Sequence, residues 1–110
     1  MMSDCSYKML ASNEIGNVLY CDECQEMIIG VGTFILKFKD EQPKIFLKAL
    51  LGTKDEYDFK KNHLVEKVFL KTPVKNMMLA LSWDELNLSI DLLQVAFLNL
   101  EVNEILTVKI

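Results

Sequence analysis

The chain has 110 residues, enough for one domain with a single real core, so neither disulfides nor a metal is needed merely to fold. Apolar residues make up 51% of it, slightly above the ordinary share, and a small domain must put that excess somewhere. With 12 basic and 16 acidic residues the net charge is −4, which argues against a nucleic-acid partner and its concentrated positive footprint.

The first residues, MMSDCSYK, lack a basic start followed by an apolar core, so they do not read as a secretory signal. No apolar run approaches the roughly 20 residues that span a bilayer, so no membrane is expected. Three cysteines give no even disulfide framework, and a reducing cytoplasm fits them best.

In chain order, Tyr7–Leu10 reads as a weak strand, and ASNEIGN supplies turn chemistry through Asn13 and Gly16. Val18–Cys21 and Gln25–Val31 read as strands with a CDEC turn between them. Thr33–Lys39 alternates, with Phe34, Leu36 and Phe38 on one side and Ile35, Lys37 and Lys39 on the other. Gly30 and Gly32 interrupt this region and predict a bulge or tight bend.

DEQPKIFLKALLG, residues 40–52, predicts a helix. Asp40 and Glu41 put negative charge near its N-terminus, Pro43 fits the first turn, and Gly52 reads as a C-cap. Ile45, Phe46, Ala49 and Leu50 would form its buried stripe. Thr53–His63 is polar and reads as a long mobile loop. Leu64–Lys71 and Asn76–Leu81 predict a second strand pair with a TPVK turn. Ser82 and Glu85 form a capping box that opens a helix from Trp83 to about Leu100. EILTVKI then reads as a short strand or packed tail. Leu36–Leu51 also echoes Leu79–Leu93, each a strand running into a helix; convergence explains this as well as duplication does.

The second helix carries two apolar stripes. Leu86, Ile90, Leu93, Phe97 and Leu100 form the core face. Leu88, Leu92, Val95 and Ala96 lie on another side. Either they face a further element of the same chain, or they meet a second copy in a homodimer.

Cys21 and Cys24 carry the chemistry of the sequence. If Asp22 and Glu23 form a two-residue hairpin loop, the cysteines oppose one another at about 5 Å, close enough for a shared metal or a strained disulfide. Zinc needs four ligands, and only Cys5 and His63 could complete the set Cys5, Cys21, Cys24 and His63. Redox chemistry needs a stabilised thiolate, which Asp22, Glu23 and Glu26 oppose. The plain reading is that both cysteines are small, partly buried residues closing a hairpin. The single His63 supports no conventional Ser-His-Asp triad, and no phosphate-binding glycine pattern occurs.

GNVLYCDEC, GVGTFILKF, MMLALSWDEL and LLQVAFLNLE, in that order, resemble a family of short, uncharacterised bacterial proteins. These share a Tyr-Cys-x-x-Cys near the start and a Leu-Ser-x-x-Glu-Leu helix start near the end. The resemblance covers residues 13–106 apart from 53–63. It implies that the Cys21–Cys24 pair is a family feature, and it transfers no activity or catalytic residue.

The expected structure is one α+β domain over residues 1–110. It has a mostly antiparallel sheet, two helices on one face, and strands, helix, strands, helix in order. The expected role is a non-enzymatic cytoplasmic protein that self-associates or binds another protein. A small zinc-binding module is the alternative and a thiol redox protein the third reading.

Overall fold

The computed structural model describes residues 6–59, 68–71 and 76–108. Four strands, β1 (Lys8–Asn13), β2 (Gly16–Cys21), β3 (Glu26–Val31) and β4 (Phe34–Lys39), form an antiparallel meander in sequence order. Helix α1 (Gln42–Phe59) follows, then a separate hairpin of β5 (Val68–Lys71) and β6 (Met78–Leu81), then helix α2 (Trp83–Val108). The expected α+β class and element order hold, with the strands divided between two sheets.

The sheet follows its alternation. Val18, Met27, Ile29, Leu36 and Phe38 point to one face and are buried. Both helices cover that face. The Phe38 ring meets Phe46 of α1 with centroids 5.3 Å apart. Leu86, Ile90 and Leu93 of α2 are buried, with Phe97 and Leu100 packed partly against them, as their spacing predicts. The β5–β6 hairpin touches α1 through β5 and α2 through β6. α2 is therefore enclosed along more than one stripe.

Local chemistry fixes the turns. Glu14 and Ile15 join β1 to β2, and the Asn13 carboxamide oxygen accepts from the Ile15 amide at 3.0 Å. The Asn13 amide donates to the Leu88 carbonyl of α2 at 2.9 Å, so the turn is also anchored to the helix. The ladder of β1 slips at Leu10, a bulge that removes its carbonyl from regular pairing; Asn99 of α2 donates to that carbonyl at 2.6 Å. Gly30 stays in register inside β3, so the expected bulge is absent there, while Gly32 makes the tight bend in the left-handed region at φ 58°. Gly16, expected as a turn residue, is required for a second reason. A Cβ there would lie 1.7 Å from the Gly30 carbonyl oxygen, so only glycine permits this approach.

Both helices outrun their predicted ends. α1 passes through Gly52 and takes in Thr53–Phe59, where a loop was expected; residues 60–63 of that stretch lie outside the described residues. Gly52 is thus a helix-interior residue and not a C-cap, and the Thr53 hydroxyl donates to the Ala49 carbonyl in the same turn. The buried stripe of α1 is Pro43, Phe46 and Leu50, whereas Ile45 and Ala49 are exposed. α2 continues to Val108, so residues 104–108 are helical and no final strand forms there. The predicted start of β5 at Leu64 and the TPVK turn lie outside the described residues.

Candidate functional site

Cys21 is the last residue of β2 and pairs with Glu26, so the hairpin loop has four residues, Asp22–Gln25. Gln25 closes it in the left-handed region at φ 54°. Cys24 therefore sits within the loop and does not oppose Cys21 across the ladder. This corrects the expected two-residue turn. The Cys24 amide donates to the Cys21 sulfur at 3.4 Å, folding the loop over it. Cys21 shares the parity of Leu19, on the sheet face away from the helices, yet it is fully buried and its thiol is free. Cys24 is half-buried and disulfide-bonded, and because the Cys21 thiol is free no bridge joins the two.

Of the proposed zinc set, Cys21 and Cys24 are neighbours in this turn, while Cys5 and His63 lie outside the described residues. Among the described residues no three His, Cys, Asp or Glu side chains converge as a metal site. A sulfur held in a disulfide is also no thiolate ligand.

The start of β1 is tied to the same turn. The Lys8 ammonium lies 3.0 Å from Asp22. The Tyr7 hydroxyl donates to Glu26 at 2.6 Å. That hydrogen bond raises the Tyr7 pKa above the ordinary phenol value, and desolvation and the Glu26 charge push the same way.

The four interface candidates separate in space. Leu92 and Ala96 are fully buried in the chain's own hydrophobic core. Leu88 is half-buried, and Val95 is 47% exposed. Val95 belongs to a different outward stripe, with Leu98 at 59% and Val102 at 45% exposure, spaced i, i+3 and i+7. A second apolar surface lies on the outer face of the sheet, where Met9, Leu19 and Ile28 stand opposite one another across three strands and Ile35 is 71% exposed. Spacing alone could have found the Val95–Leu98–Val102 stripe, but it could not say which α2 stripe the rest of the chain covers.

A family profile matches residues 2–109. The chain belongs to the family of unknown function DUF6686. Membership extends over more of the chain than the resemblance read from its motifs. No curated protein and no solved structure matches this DUF6686 chain. In it, no described helix is long and apolar enough to cross a membrane.

Proposed function

We propose that this protein is a non-enzymatic, self-associating domain and that α2 forms the contact between two copies. The exposed stripe Val95, Leu98 and Val102, continued toward the helix start by Leu88, carries this reading. Three large apolar side chains on one helix face are costly to leave in water and can be buried against the same stripe of a twofold-related copy. The two core positions Leu92 and Ala96 support the dimer only by holding α2 in place.

Light scattering at micromolar concentration tests it. The expected mass is that of a dimer, and Leu98→Glu is expected to give a monomer while Ile35→Glu, on the outer sheet face, leaves the dimer intact. A monomeric wild-type mass ends the proposal. If Ile35→Glu breaks the dimer and Leu98→Glu does not, the contact lies on the sheet.

A cytoplasmic location is part of the reading, and the cysteines bear on it in opposite ways. Their odd number fits a reducing compartment, whereas the bond at Cys24 fits an oxidising one. Quenching bacterial cells with acid, alkylating the protein under denaturing conditions without a reductant and counting blocked thiols separates the two. Blocking of all three cysteines supports the cytoplasm, and blocking of Cys21 alone overturns it.

A further inference from the structure

A cavity of about 300 Å³ opens where the sheet meets the start of α1 and the second half of α2. It has room for about ten water molecules, and small-ligand pockets begin near this size. Its floor is apolar: Met27 and Phe38 are almost wholly buried, and Pro43 is buried beside them. Tyr20 and Phe97 add two further aromatic rings. The mouth is polar, with exposed Gln25, Asp40, Glu41 and Lys44. Phe97 and Leu100 reach it from the side of α2 opposite the exposed stripe, so this site is independent of the self-association contact.

The charges at the mouth choose the ligand. A helix N-terminus ordinarily favours an anion. Here Asp40 and Glu41 place negative charge in the two residues just before α1, and Pro43 in its first turn has no amide hydrogen to offer. Lys44 lies 3.9 Å from Glu41, so its ammonium is directed to that carboxylate. Two carboxylates against one paired ammonium leave the mouth negative. Three aromatic residues, Tyr20, Phe38 and Phe97, line it beneath, and aromatic rings attract an organic cation. The two halves of the site therefore ask for one molecule with an apolar body and a positive end.

We propose that this cavity binds a small organic ammonium whose apolar body rests on Met27, Phe38 and Phe97 and whose charge meets Asp40 and Glu41. The left-handed backbone at Gln25 and Asp40, φ 54° and 57°, brings two of the mouth residues to the rim.

The test is a titration of isotope-labelled full-length protein with 2-phenylethylamine, followed by amide shifts, beside phenylacetate and 2-phenylethanol at equal concentration. Saturable shifts confined to residues 25–27, 38–44 and 97–100 are expected with the amine. The neutral and anionic isosteres are expected to bind at least tenfold more weakly. Asp40→Asn with Glu41→Gln keeps the shape of the mouth, and asparagine tolerates the left-handed position; this variant is expected to lose at least tenfold in amine affinity with an unchanged far-ultraviolet spectrum. Equal binding of all three compounds, tighter binding of phenylacetate, an unaffected double variant, or no saturable shift with any compound overturns the proposal.

Discussion

β6 passes to α2 through a single residue, Ser82, whereas β4 passes to α1 through Asp40 and Glu41. At Ser82 the side chains satisfy the helix start in both directions. The Glu85 amide donates to the Ser82 hydroxyl at 3.1 Å, and the Ser82 amide donates to the Glu85 carboxylate at 2.8 Å. At the other junction Asp40 takes a left-handed backbone, the first helical bond runs from the Ile45 amide to the Glu41 carbonyl, and Gln42 reaches back to the Lys39 amide at 2.9 Å. One junction uses the residue types best suited to a helix start. The other accepts a disfavoured conformation, and the proposed ammonium site opens beside it. Strain persists where the surrounding structure over-determines it, and such places cluster at ligand sites.

Substitutions at the two junctions should therefore behave in opposite ways. Ser82→Ala is expected to cost about 1 kcal/mol, and Ser82→Gly only a few tenths. Asp40→Gly is expected to raise stability by up to about 1 kcal/mol, because glycine occupies the left-handed region freely and its greater loss of chain entropy offsets only part of that gain. Urea denaturation of the three variants checks this. A destabilised Asp40→Gly would show that the carboxylate holds the junction together and that the left-handed backbone carries little strain.

The helices beyond these junctions show what the sequence can and cannot disclose. The reciprocal chemistry of Ser82 and Glu85 is local, lies within four residues, and was readable at once. The end of α1 was not. Gly52 follows the last apolar residue, Leu51, and polar residues follow it, so pattern and punctuation agree on a stop that does not occur. A helix needs no apolar residue to continue in water, because Lys54, Asp55 and Glu56 can complete exposed turns, and each added residue costs less than nucleation did. Gly52→Ala sharpens the comparison with Asp40. A Cβ at Gly52 meets nothing within 4 Å. In a helix interior the substitution is expected to stabilise by about 0.4–1 kcal/mol. A loss of stability there would return Gly52 to the role of a left-handed helix end.

The sheet was legible for the opposite reason. Period-two alternation in β4 places Leu36 and Phe38 inward and Ile35, Lys37 and Lys39 outward without any knowledge of the neighbours. The turn at Cys21 and Cys24 shows the limit of that logic. Their spacing is equally compatible with a two-residue and a four-residue loop, and the outcome depends on Gln25 adopting a conformation that its identity does not advertise. The cavity was further still from reach. Its lining runs from Tyr20 to Leu100 and converges only through the packing of α2 against the sheet.

The smallest expected effect concerns the end of the sheet next to the strained junction. Glu26 faces Lys39, the last residue of β4, and receives the Tyr7 hydrogen bond from the other side. Beside Ser82 the hydrogen-bonded carboxylate is that of Glu85, whose partner is the Ser82 backbone amide rather than a phenol. The folded-state pKa of Tyr7 lies above its ordinary value, so the native state holds that proton more tightly than the unfolded chain does. The contribution of Tyr7 is therefore full below the unfolded tyrosine pKa of about 10 and is lost as pH rises through the higher folded value. Tyr7 is substantially exposed, so the slope should be shallow. Stability measured by urea between pH 9 and 12 should fall more steeply in the wild type than in Tyr7→Phe, since lysines titrating in the same range are common to both. Amide shifts at residues 26 and 39–41 should follow the same titration in the wild type, while those at 82–86 stay fixed. If both junctions respond alike, the tether at Tyr7 acts on the whole sheet and not on the passage from β4 to α1.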